Sequence, residues 1–300
     1  MNIKKKKHSL SVYSVVVCLI LCIYTFTLFA ILGWGLIKSF HGLNDFILGG
    51  SKASSWPKAF TLQNYIKAFE VIKYPLPRKY GGGYVLLGEM MLNSVIYAVG
   101  CALIDTFTTA AIAYVTVKHR FAFNKVINTC FYITVLLPIV SATGAGLRVM
   151  TELGLIHTWI GVFWLKLNFT SGMGFLLFQG VFKSLDDGYK EAALIDGASH
   201  FRIMVSISFP LVKTIILTLM MQNFISYWND YSTPMFYLAP HPTAAYGLYF
   251  FNQDKSGGGA TAFVTFKVAG FMMLLIPVFI VFLFLKDKMM GNLTEGGLKG

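Results

Sequence analysis

Apolar residues in this chain come in long runs separated by short polar stretches, and the runs define the first set of elements. Six of them read as membrane-crossing helices, at residues 12–37, 88–115, 126–148, 168–183, 211–229 and 263–285. A helix needs roughly 20 apolar residues to cross a bilayer, and the fourth run is short by that measure. The pattern predicts an all-α fold, a polytopic transmembrane bundle that forms one membrane domain over residues 1–300. Between the third and fourth runs, "LGLIHTWIGVFWLKL" is apolar but too brief to cross. It predicts an interfacial or re-entrant helix, with Trp159, Trp164 and Lys166 at headgroup level. Arg148 and Glu152, four apart, are spaced to pair across one helical turn.

Composition agrees with lipid as the solvent. The 300 residues are 56% hydrophobic and 13% charged, against about 25% charged in soluble domains. The formal charge of +12 raises nucleic acid as a partner, but the basic residues sit beside the apolar runs. Lys4 to Lys7 precede the first run, Lys118, Arg120 and Lys125 separate the second from the third, and Lys286 and Lys288 follow the last. That is the pattern of cytoplasmic loops, whereas a nucleic-acid surface needs a basic face with interleaved aromatics. No nucleic acid is expected.

An even number of crossings puts both termini in the cytoplasm, residues 1–11 at one end and 286–300 at the other, in a multi-pass protein of the inner (cytoplasmic) cell membrane. The loop 39–87 then lies outside despite its lysines, because long loops translocate largely regardless of charge. The first run is too long for a cleavable signal. Cys18, Cys22, Cys101 and Cys130 all fall inside apolar runs and read as small buried hydrophobes. Cys18 and Cys22 offer too few ligands for zinc, and no metal site is expected.

The polar stretch at 184–209, between the fourth and fifth runs, is the least expected part of the chain. Ser184 followed by Asp187 fits a helix start signal, and Asp186 with Asp187 suits the positive end of a helix dipole. A two-turn helix from Gly188 to Asp196 follows, ended by Gly197 in a left-handed cap. A second helix runs from Ala198 to Phe209, until Pro210 opens the next span. Tyr189, Ala192, Ala193 and Asp196 share one face, where small side chains let another surface approach the backbone. The stretch reads equally as a docking knob and as a solvated linker.

Polar groups inside apolar runs are costly and therefore candidates for function. Asp105, Gln222, Asn223, Asn229 and Asp230 qualify, with Tyr227 and Trp228 beside them: amides can bond the hydroxyls of a solute and aromatic faces can stack on its rings. The same residues serve as helix–helix hydrogen bonds and interfacial anchors. The chain carries no phosphate-binding G-x-x-x-x-G-K-[ST] loop, so it is not its own P-loop ATPase. It also carries neither H-E-x-x-H nor G-x-S-x-G, and no enzyme activity is expected.

The segment "EAALIDGASHFRIMVSISFP" resembles the signature of permease subunits of binding-protein-dependent ABC importers. Glu191, Ala192, Ala193 and Gly197 match it in place, and Phe209 stands where Leu is usual. "FTLQNY" (60–65), "NS" (93–94), "AYVTVKHRF" (113–121), "LGL" (153–155), "WND" (228–230) and the tail "GGLKG" (296–300) are similar to the MalG-type branch that serves carbohydrates. The resemblance implies a type I importer permease fold. It also implies cytoplasmic coupling helices at 184–209, with Tyr189, Glu191, Ala192, Ala193, Asp196 and Gly197 facing an ATPase. The implied partners are a second permease, two ATPase subunits that use ATP and Mg, and an extracytoplasmic sugar-binding protein. The alternatives are an importer permease for another solute, and an ion-gradient-driven transporter with Asp105 and Glu152 as its titrating groups.

Overall fold

The computed structural model describes residues 12–42, 56–57, 60–119, 121–136, 142–167, 172–253 and 264–290. Lys4 to Lys7, Arg120, Pro138 and the 296–300 tail lie outside them. In chain order the elements are α1 (Val12–Ser39), α2 (Gln63–Val71), a hairpin of β1 (Lys73–Pro75) and β2 (Tyr84–Leu86), α3 (Leu87–Lys118), α4 (Asn124–Leu136), α5 (Ala142–Glu152), α6 (Trp159–Lys166) and α7 (Gly172–Ser184). The short α8 (Gly188–Ile195) and α9 (His200–Ile203) follow. A π-helical turn at Met204–Ser208 leads into α10 (Phe209–Leu211), then come α11 (Lys213–Trp228), α12 (Ser232–Tyr237), α13 (Ala244–Gln253) and α14 (Val264–Met290).

Three helices, α1, α3 and α14, are each long and apolar enough to cross a membrane. A fourth span arises if His200–Leu211 and Lys213–Trp228 are taken together, although they meet at 82°. Six continuous spans are therefore more than the described residues provide. Among the described residues the 126–148 run contributes α4 and part of α5, and the 168–183 run contributes the 13-residue α7. Thirteen residues rise about 20 Å, short of a hydrocarbon core of roughly 30 Å.

Two compact units make up the chain: Met1–Ala68 with Lys255–Met273, and Phe69–Asp254 with Leu274–Gly300. In the first, α1 is apolar on every side and exposed almost to its end, which suits a helix surrounded by lipid. Cys18 and Cys22 are accordingly exposed rather than buried, as is Cys130 on α4; of the four cysteines only Cys101 is buried. The end of α1 is closed by Asn64, whose amide donates to Ser39 O and His41 O at 2.7 Å each. Those carbonyls have no partner within the helix.

In the second unit, α7 and α11 pack along α3. Buried Ala98, Cys101, Ala102, Ala110 and Ala113 keep the α3 surface low, and small residues let helices approach closely where lipid removes the hydrophobic drive to associate. Around the lower half of α3, Tyr114, Phe131, Phe175, Phe178, Phe182, Val212 and Ile216 form one cluster. Within it the Phe131 and Phe175 rings stack at 3.7 Å. The bend between α10 and α11 has a local cause. The π-helical turn loosens the helix just before Pro210, which offers no N–H to Ser206 O, and Val212 leaves helical geometry at φ −105°. Lys213, not Pro210, therefore begins the last helix before Asn229.

Candidate functional site

The 184–209 stretch folds as a knob of two short helices, fastened to the end of α3. Ser184 is the last residue of α7 and bonds back to Val181 O at 2.8 Å, so the expected Ser-x-x-Asp start signal does not form. Asp187 holds the N-cap position of α8 without a side-chain cap. Its carboxylate instead accepts from Lys118 Nζ at 2.7 Å, while Asp186 Oδ1 accepts from Gly188 N at 2.9 Å. Lys118 Nζ also donates to Leu185 O at 2.7 Å, and Lys190 Nζ donates to Lys118 O. The Lys118 ammonium hydrogen-bonded to Asp187 holds that carboxyl below its ordinary range.

Gly197 ends α8 as its position predicts, at φ +77°. Its N–H bonds Leu194 O at 3.0 Å and the Ala198 N–H bonds Ala193 O at 2.9 Å, the paired bonds of a Schellman cap. Ser199 then caps α9 by accepting from Arg202 N at 3.3 Å. The His200 ring meets the His119 ring edge-on at 4.9 Å, a second tie between the knob and the end of α3. Burial holds the His119 imidazole below its ordinary value, and the positive charges of Lys190 and His200 add to that.

The face of the knob is more apolar than the four-residue reading suggested. Tyr189, Glu191, Ala192, Asp196 and Gly197 are exposed, whereas Ala193 is buried and turned inward. Ile195 is 87% exposed and Phe201 71%; neither stands out in a sequence so rich in apolar residues. Lys118 and Lys190 were also hidden, since each reads as one more cytoplasmic lysine.

The intramembrane polar residues divide by role. Asp105, 6% exposed, accepts from Tyr227 OH at 2.8 Å and Thr109 Oγ1 at 3.3 Å. Asp230 accepts from Tyr97 OH at 2.8 Å, and its other oxygen caps α12 through Ser232 N and Thr233 N at 3.0 Å. Lys166 lies over the Tyr227 ring, 4.6 Å from its centroid. Trp228 is buried and donates to Leu274 O at 2.9 Å. Asn229 bonds back to Ile225 O at 2.8 Å. Asn223 donates to Thr106 Oγ1 at 3.0 Å and joins Gln222, Thr106 and Thr109 along a small cleft of ≈ 70 Å³. Tyr97 and Lys166, absent from the sequence-based set, complete this network. Arg148 and Glu152 do pair, at 2.9 Å.

Three helices long and apolar enough to cross a membrane, with a short helical knob fastened to the end of one of them, define a multi-pass membrane protein. Residues 90–290 match the family model of the binding-protein-dependent transport system inner membrane component, and the chain belongs to that family. It is 27% identical over 250 residues to the probable starch degradation products transport system permease protein AmyC of Thermoanaerobacterium thermosulfurigenes, covering 82% of this chain and 83% of that protein. It is 30% identical over 212 residues to the galactooligosaccharides transport system permease protein GanQ of Bacillus subtilis, covering 70% and 72%. To the sn-glycerol-3-phosphate transport system permease protein UgpE of Escherichia coli it is 30% identical over 193 residues, covering 64% and 68%. Its fold is similar to that of a chain in a bacterial ABC transporter involved in the import of the acidic polysaccharide alginate, with a TM-score of 0.74 at 19% identity, covering 94% of this chain and 98% of that one. Membership of this family sets aside an ion-gradient-driven carrier.

Proposed function

We propose that this chain is the permease subunit of an ATP-driven importer of a carbohydrate, a sugar or oligosaccharide, received from an extracytoplasmic binding protein. The observation that carries the reading is the α8–α9 knob. It offers exposed Tyr189, Ile195 and Phe201 on a base fixed by Lys118 and Lys190. A linker needs neither a rigid base nor an apolar tip; a lever that receives force from another protein needs both. The partner is a pair of ATPase subunits, which bind ATP and Mg in place of this chain. A second permease completes the pathway, and both termini face the cytoplasm with the knob.

Carbohydrate is favoured over other solutes because the relatives named for starch degradation products, maltodextrin and galactooligosaccharides align over 69% or more of this chain. Those named for sn-glycerol-3-phosphate also align well, so a phosphorylated polyol is the competing solute. The test is purification of the tagged importer from its own membranes, followed by uptake measurements. Ile195→Asp is expected to release the ATPases and stop uptake while leaving the permease in the membrane. Retention of the ATPases by that variant at normal uptake would refute the docking role. The solute is settled by what the co-purified binding protein holds.

A further inference from the structure

Above the α3 end that seats the knob, four side chains form a continuous polar ladder through otherwise apolar packing. Asn124, Asn128 and Tyr132 lie four residues apart on one face of α4, opposite Gln179 of α7. Tyr132 OH donates to Gln179 Oε1 at 3.4 Å. Gln179 Nε2 donates to Asn128 Oδ1 at 2.5 Å and to Thr116 Oγ1 at 3.4 Å. Asn128 Nδ2 donates to Asn124 Oδ1 at 3.3 Å. Asn124 Nδ2 ends the series on Thr116 O at 2.7 Å and His119 O at 3.2 Å.

Two features set this ladder apart from ordinary helix–helix bonding. Every amide accepts from the group above and donates to the group below, so the bonds run in one direction and each polarises the next. The ladder also ends on Thr116 O in the last turn of α3 and His119 O at its C-cap, where a helix leaves its carbonyls without intrahelical partners. The neighbouring carbonyl of that turn, Lys118 O, accepts from Lys190 of the knob. The α3 terminus is thus held from the membrane side by Asn124 and from the knob side by Lys190, and Lys118 Nζ grips Asp187.

We propose that Gln179, Asn128 and Asn124 are positioning residues that lock α4, α7 and the end of α3 into one body with the knob, so that a displacement of the knob is passed to the spans without slack. This rests on the reading of α8–α9 as the seat of an ATPase. None of the three touches a solute or nucleotide in this scheme; they act through the α3 terminus.

Spin labels at Val205→Cys, beside the knob, and Met173→Cys, at the far end of α7, report whether the two move together. The background is the assembled importer with its native cysteines replaced, and the probes are ATP and vanadate. The parent protein is expected to give one narrow distance, the same with and without nucleotide. Gln179→Leu should lose that single distance and become nucleotide-dependent, with uptake per ATP hydrolysed reduced about fivefold or more. If Gln179→Leu does not assemble, Asn124→Ala, at the aqueous end of the ladder, carries the same readout. A parent distance that changes with nucleotide, or variants that keep the parent distance and coupling ratio, would overturn the proposal. Failure of the docking reading is seen separately, as Ile195→Asp importers that keep their ATPases, because the nucleotide-free distances do not depend on docking.

Discussion

Lys118 Nζ and Asp187 Oδ1 stand 2.7 Å apart, with the lysine side chain 8% exposed and the aspartate 65%. The two ends of this bond are therefore unequal. Lys118→Met removes the ties to both Asp187 and Leu185 O, whereas Asp187→Asn removes the charge pair and leaves the second tie. The lysine variant is expected to loosen the knob more, read as faster proteolysis within 185–209 of the purified protein. Equal effects would mean that the Leu185 O bond contributes nothing.

His119 gives the knob a pH dependence. His119 is held below its ordinary value, so its native form is the neutral one. The contribution to stability is complete above the ordinary histidine value of about 6.5 and is lost as pH falls from there toward the lower native value. Asp187, also lowered, acts only in the acid range below the ordinary carboxylate value of about 3.9. Thermal unfolding between neutral pH and mildly acid pH should then show a decline in the parent protein that His119→Gln reduces. An unchanged slope would place the titration elsewhere.

At Gly197 the constraint is in the backbone, since φ is +77° and a Cβ there would meet open space. A left-handed residue other than glycine costs about 1–2 kcal/mol, less for Asn and Asp and more for β-branched residues. Thermal stability should therefore fall in the order Gly, Asp, Ala, Val. Transport should follow a different order, with Gly197→Asp among the worst, because it sets a charge on the face proposed to meet the ATPase. Identical orders in the two assays would reduce Gly197 to a structural cap.

Trp228 belongs to the group expected to meet solute, but its indole is 1% exposed and bonded to Leu274 O. Trp228→Phe should cost about 1–2 kcal/mol from the lost hydrogen bond and the space left by the smaller ring, measured by denaturation in detergent, with no change in the solute concentration for half-maximal uptake. A shift in that concentration at unchanged stability would return Trp228 to the solute path.

Tyr227→Phe leaves the Asp105 carboxylate with only the Thr109 hydroxyl among the described residues and should destabilise by about 1–3 kcal/mol. Asp105→Ala combined with Tyr227→Phe should cost less than the sum of the two single changes, since both delete the same 2.8 Å bond. Additive losses would show that the bond does not contribute.

What the sequence determined was what depends on neighbours along the chain. The lengths of α1, α3 and α14 follow from unbroken apolar runs, and the Gly197 turn follows from glycine's freedom at positive φ. The knob's signature residues are contiguous, so they can be read in order. Tertiary structure decided whatever depends on residues distant in sequence. That Lys118 serves Asp187, that Lys166 lies over Tyr227 and that Gln179 meets Asn128 all follow from which helices pack together. A one-dimensional pattern gives no direction to a lone polar side chain in an apolar run. Asp105 and Asp230 looked alike in the sequence, as intramembrane carboxylates. Each accepts from a tyrosine, and the fold separates them by the other oxygen: that of Asp105 meets Thr109 one turn along α3, while that of Asp230 sits where α12 begins and accepts from its free N–H groups.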